Sequence, residues 1–194
     1  MNRRTAAGIV VAGLTLAGAV VGGLWSWLAP SAHGVVALTR SGQRVQTYLG
    51  SESDHLFVAP AMLIGLLTSM AIVAAVLVWQ WRAHRGPLMA TALWVGLVAG
   101  AGAAAAVGAA LVHWHYGPVP FDTAPVTREN RVFYYSEAPP VFFAHGPLQV
   151  ATTLLFPAAV AALAYALMAV ATPRDDLGAW PPMERAPLGA GAPS

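Results

Sequence analysis

Two clusters of polar residues stand out in an otherwise apolar chain. His113 and His115 flank Trp114, and Glu137 and His145 follow. Imidazole nitrogens and a carboxylate are donors that a divalent metal accepts. Residues two apart on a helix point to different faces, however, and histidines that share a metal from one helix are four apart in the familiar motif. The spacing fits polar residues at a water boundary, beside Trp114 and Tyr116, better than a metal site. Glu52, Asp54 and His55 form the second cluster. A carboxylate beside an imidazole can move protons, but no nucleophile accompanies this one. Acidic residues ahead of a helix are favoured by its dipole alone. The chain has no cysteine, which removes disulfides, thiol catalysis and cysteine-based metal sites. Gly96, Gly100 and Gly102 lie in an apolar run without the preceding strand and following Lys-Ser/Thr of a phosphate loop. The sequence therefore assigns no catalytic residue, no cofactor and no metal ligand, and an enzyme is not expected.

The elements that would position such residues are membrane helices. Of the 194 residues 57% are hydrophobic and 9% charged, against about 25% charged in a soluble domain. Four apolar runs, at 5–28, 57–81, 88–112 and 147–171, are each long enough for a hydrocarbon core of about 30 Å. The first is too long for a signal-peptide core and reads as a retained anchor, with Trp25 and Trp27 in the interfacial belt. Pro60 suits a first helical turn. Pro157 is expected to kink the fourth span, with Thr153 near enough to satisfy a freed carbonyl. No Asp, Glu, Arg or Lys falls inside a span, which argues against a proton pump or ion-coupled carrier. The net charge of +2 is too small and scattered for nucleic acid. Arg3, Arg4, Arg82, Arg85, Arg174 and Arg185 fall on one side and Arg40, Arg44, Arg128 and Arg131 on the other. The first set sits mostly beside helix ends, where the positive-inside rule acts. Both termini are thus expected on the cytoplasmic side of the inner membrane, with two external loops.

The chain also resembles itself. Pro30 and Pro118 are 88 apart, as are Thr39 and Thr127; Arg44 and Arg131, Tyr48 and Tyr135, and Pro60 and Pro147 are 87 apart. This spacing predicts an α-helical membrane protein of two parallel helix–loop–helix repeats, 1–87 and 88–171, followed by a largely disordered cytoplasmic tail, 172–194. Residues 35–39 and 44–48 are rich in β-formers around Ser41-Gly42 and predict an external hairpin. A second hairpin is expected near 123–127 and 131–135. The two hairpins together would make a four-stranded sheet.

Gly18 and Gly22 are four apart, as are Gly96, Gly100, Ala104 and Gly108. Such stripes let helix backbones approach closely, either within the chain or against a partner, and the sequence does not divide the two. Arg40, Arg44, Arg128 and Arg131, with the loop aromatics Tyr134, Tyr135, Phe142 and Phe143, are the candidate external contacts. Trp180 is read as resting on the membrane surface, with a short docking segment as the alternative.

Residues 25–30 (WSWLAP), 33–40 (HGVVALTR), 48–53 (YLGSES), 78–87 (VWQWRAHRGP) and 174–182 (RDDLGAWPP) resemble a family of small actinobacterial four-span membrane proteins. Within that family the likeness points to an accessory subunit of the mycobacterial mammalian-cell-entry (Mce) lipid importer. The resemblance implies YrbE permeases and Mce proteins as partners, beside the lipid bilayer, and a role in assembling, stabilising or regulating fatty acid import. It carries over no catalytic residue. An accessory subunit of another envelope complex, such as a respiratory supercomplex, is the rival. A stand-alone small transporter, and an enzyme using Glu52, Asp54, His55 or His145, stand further off.

Overall fold

The computed structural model describes residues 2–119 and 121–173. The expectations for the tail, including Trp180, lie outside the described residues. Four helices are present: α1 (Arg3–Leu28), α2 (His55–Gln80), α3 (Pro87–Tyr116) and α4 (Pro147–Val170). Each is long and apolar enough to cross a membrane, with mean hydropathy of 2.1 to 2.5. Three strands, β1 (Ala32–Leu38), β2 (Arg44–Tyr48) and β3 (Val132–Glu137), form one antiparallel sheet in the order β2-β1-β3.

Helix ends follow local chemistry. The Asn2 side chain accepts the Thr5 amide at 2.7 Å and starts α1. Pro87 and Pro147 open α3 and α4 in the first turn, where no amide hydrogen is needed. Gly117, at φ 68°, ends α3 in a conformation that other residues rarely adopt. Inside the spans, hydroxyls bond back one turn, as Thr15 does to the Val11 carbonyl at 2.8 Å and Thr152 to Leu148 at 2.8 Å. This hides polar groups that lipid cannot satisfy.

α1 packs most extensively on α3, α2 packs on α4, and α3 joins α4. α1 and α2 touch only along a short stretch. The glycine stripes make the first of these contacts. A Cβ at Gly18 would strike the Gly100 backbone, and one at Gly22 the Ala104 backbone. At Gly96 it would sit 2.9 Å from Leu14, and at Gly108 2.8 Å from Trp25. The small-residue faces are therefore used inside the chain. Ala6, Ala71, Met89, Leu93, Ala161 and Tyr165 fill the core at one end. Trp25, Leu63, Ala104, Val112 and Val141 fill it at the sheet end. The outward surfaces stay apolar: Leu16, Val20 and Leu148 are about seven-tenths exposed, as a lipid-facing surface requires.

Four sequence expectations are corrected. Trp25 is not in an interfacial belt. It is fully buried, and its indole donates to the Ala59 carbonyl at 2.8 Å, because Gly108 leaves room for the ring. Trp27 and Trp114 remain exposed. Pro60 lies inside α2 rather than in its first turn, because a 3-10 turn at Glu52–Asp54 lets the helix begin at His55. Thr153 does not serve a carbonyl freed by Pro157; its hydroxyl donates to Gln149 at 3.0 Å. The second hairpin is absent, and the sheet has three strands. Pro125 lies in the middle of the segment meant for its first arm, and proline cannot donate to a ladder. That segment crosses the sheet instead, and β3 pairs with β1 of the first loop.

Candidate functional site at the sheet end

Residues whose types suggested chemistry meet on the sheet. β1 is central, and its register is symmetric in one respect. Gly34 lies opposite Tyr48 on β2 and opposite Tyr135 on β3. The two tyrosines are the pair found 87 residues apart in the sequence. With no side chain at Gly34, the Tyr135 ring crosses β1, and its hydroxyl accepts a hydrogen bond from Gln46 on β2. In the other direction Tyr48 donates to Glu137 on β3 at 2.8 Å. Burial first, then Glu137, pushes the Tyr48 phenol up to about 12. Burial also raises Tyr135, against the opposing effect of its Gln46 bond.

This face is closed. Val36 and Tyr135 pack with Ala124, against Val119, Phe121 and Phe133. The Arg44 guanidinium donates to the Phe121 and Ala124 carbonyls at 2.8 and 3.1 Å, holding the crossing segment down. Strand alternation puts His33, Val45, Leu49, Val132, Tyr134 and Ser136 on the opposite face. Val45, Leu49 and Val132 are two-fifths or so exposed, and Tyr134 two-thirds.

At its edge stands a three-residue clip. One Glu52 oxygen accepts the His33 backbone amide at 3.1 Å and lies 3.0 Å from Nδ1 of both His33 and His55. His55 Nδ1 is also 2.8 Å from the Ser31 carbonyl. Both neighbours of that nitrogen are acceptors, so Nδ1 carries the hydrogen. The clip ties β1 to the start of α2. A shallow depression of 320 Å³, lined by His33, Leu49, Glu52, Tyr134 and Ser136, opens beside it. Around Leu49 it presents the Glu52 carboxylate, the His33 imidazole and the hydroxyl-bearing side chains of Tyr134, Tyr135 and Ser136. That suits a partner side chain with an apolar body and hydrogen-bonding groups, and no hydrogen bond joins the Ser136 hydroxyl to His33, its cross-strand neighbour.

The remaining candidates are dispersed. Arg40, Arg128 and Arg131 are exposed, and Arg131 Nε donates to the Arg128 carbonyl at 3.2 Å. Arg44 and Tyr135 are engaged within the fold. Phe142 packs against the core, and Phe143 stacks on Phe57 at 4.9 Å. His113, His115 and His145 are exposed, and among the described residues no three metal-ligating side chains gather. Sequence reading passed over His33. Its only signal was the alternation that places it on the outer face. Its partner Glu52 is 19 residues away, beyond any local pattern.

Four apolar helices with a three-stranded sheet at one end define the class: a small multi-pass membrane protein with a folded extramembrane cap. The chain belongs to the family described as Protein of unknown function (DUF2567), which matches residues 14–179. It is similar to an uncharacterized protein of Mycobacterium tuberculosis (strain H37Rv), Rv1591, at 54% identity over 173 residues, 89% of this chain and 90% of the relative. It is also similar to the uncharacterized protein ML1222 of Mycobacterium leprae, at 56% over 169 residues, 87% of this chain and 85% of the relative. No solved structure matches it.

Proposed function

We propose that the protein is a non-enzymatic accessory subunit that docks onto a larger membrane complex through the outer face of its sheet. The observation that carries this reading is the contrast between the two faces. One is closed by the chain's own loop, while the other presents Val45, Leu49, Val132 and Tyr134 uncovered beside the Glu52 clip. Exposed apolar and aromatic clusters with a polar rim mark protein interfaces. The absence of ionisable residues from the interiors of the four spans favours a scaffold over a stand-alone transporter. The motif resemblance extends the reading to a lipid importer, with LucB as the comparison and YrbE permeases and Mce proteins as partners. The arginine distribution supports cytoplasmic termini and an external sheet.

Native purification with mass spectrometry tests the proposal. Mce and YrbE chains are expected with the tagged protein, and Tyr134→Asp with Val45→Asp is expected to reduce them at least about tenfold while the purified variant stays folded. Recovery of cytochromes instead would assign the protein to a respiratory complex. Flux through vesicles containing the protein alone would replace the scaffold with a transporter.

A further inference from the structure

The helices leave one seam open, and the charges at its end say what fills it. α1 and α2 diverge along a groove of 340 Å³ walled by Val10, Gly13 and Ala17 on one side and Met70, Val73 and Leu77 on the other. The groove faces the lipid, and its walls are entirely aliphatic apart from the Met70 thioether. Its residues span Ile9 to Ala17 on α1, about 12 Å at 1.5 Å per residue. That is most of the depth of one leaflet, given a hydrocarbon core of about 30 Å.

The groove lies toward the bundle end that carries Arg3, Arg4, Arg82 and Arg85. Arg3, Val10 and Ala17 are seven apart, so they form one stripe along α1. Arg3 itself lines a cavity of 120 Å³ with His84, Arg85 and the start of α3 at Pro87–Met89. His84 Nδ1 is buried there with no hydrogen-bond partner. Arg85 is already stacked on Trp79, 4.3 Å from the ring centre, and donates to the Trp79 carbonyl at 2.7 Å. Arg3, Arg4 and Arg82 form no ion pair among the described residues. The described carboxylates (Glu52, Asp54, Asp122, Glu129 and Glu137) all belong to the sheet-end segments.

We propose that this seam is a binding site for one anionic phospholipid of the leaflet at the Arg3 end. One acyl chain lies in the α1/α2 groove, and the phosphate sits on Arg3 and its cationic neighbours. In a bilayer an apolar groove gains nothing from hydrophobicity alone, because lipid tails are equally apolar. Selection must come from the charged end, and basic pockets between membrane helices are suited to anionic headgroups. A partner helix is a poorer fit. Small residues favour the close approach of backbones, whereas the α2 wall presents Met70, Val73 and Leu77 beside its one small residue, Ala74.

The test is native mass spectrometry of the full chain released from nanodiscs of equal phosphatidylglycerol and phosphatidylcholine. One retained phosphatidylglycerol per chain is expected, in at least fivefold excess over phosphatidylcholine. Arg3→Gln with Arg4→Gln and Arg82→Gln is expected to abolish the excess. Gly13→Leu with Ala17→Leu, which fills the groove and leaves every arginine in place, is expected to remove the bound lipid. Unselective retention in the wild type, or retention unchanged in both variants, overturns the proposal. So does lipid that binds only after Asp175→Asn with Asp176→Asn, which would give the cationic end to the chain's own tail. A photo-crosslinker at Val73 that captures a protein in native membranes, and no lipid, would give the groove to a partner helix.

Discussion

Gly34 shows how one missing side chain organises the cap. A Cβ there would fall within 2.9 Å of two atoms of the Tyr135 ring and of its hydroxyl oxygen. The ring cannot step aside without losing Gln46 and the packing against Val36 and Ala124. Gly34→Ala is therefore expected to cost about 1–3 kcal/mol, as overpacking does, read from denaturation in detergent followed by near-UV circular dichroism. Tyr48 supplies a pH dependence whose direction is set. Its pKa is raised from an ordinary 10.0 to about 12, so the fold favours the neutral phenol. Its stabilising contribution is complete below about pH 10 and lost as the pH rises toward about 12. Tyrosinate absorbance should show late ionisation from Tyr48 as well as Tyr135, and the difference between wild type and Tyr48→Phe isolates the Tyr48 titration. Glu137→Gln should bring that titration down, since the carboxylate is the neighbour that opposes a second negative charge.

Among the elements, α1 and α3 form the closest pair, and glycine makes the approach possible. Gly18 meets the Gly100 backbone, whereas nothing lies within 4 Å of a Cβ built at Gly23, five residues further along the same helix. Gly18→Ala is expected to destabilise the bundle by about 1–3 kcal/mol, and Gly23→Ala to stay within about 0.5 kcal/mol of wild type. Steric trapping or unfolding in mixed micelles would separate them; equal effects would mean that close α1–α3 packing is not what the glycines provide. The strands follow a similar logic. β2 and β3 sit on either side of β1, with Arg44 and Arg131 near one end and Tyr48 and Tyr135 opposite Gly34. The two halves of the chain thus share one sheet and one helix core and do not stand as separate bodies.

For the whole molecule, the sheet and the α2–α3 turn lie at opposite ends of the bundle. Because the chain has no cysteine, single introduced cysteines can report this without background. Ser41→Cys and Asn130→Cys are expected to react with an impermeant thiol reagent from one side of the membrane, and Ala83→Cys from the other. Reaction of all three from the same side would break the four-span arrangement. The proposed external position of the sheet predicts Ser41→Cys and Asn130→Cys reactive in intact cells.

Hydrophobic runs and turn chemistry are local, so the sequence alone determined the four apolar runs and their approximate ends, the first hairpin, and the proline start of α4. The spacing of Gly18 with Gly22, and of Gly96 with Gly100, likewise announced close packing. Only the tertiary structure decided what those faces meet. The four spans have nearly equal apolarity, so no hydrophobic contrast selects a neighbour, and shape does so through contacts far apart in the sequence, as between Gly18 and Gly100. The same distance hid the fate of Arg44, which the sequence offered to a partner and the fold turns to the Phe121 and Ala124 carbonyls. It also hid the burial of Trp25 against Gly108, and the replacement of a second hairpin by a strand laid on the first. The candidate interface at the sheet's outer face was legible only as alternation in 44–48. Which side of that alternation stays open depends on where the segment around Ala124 comes to rest.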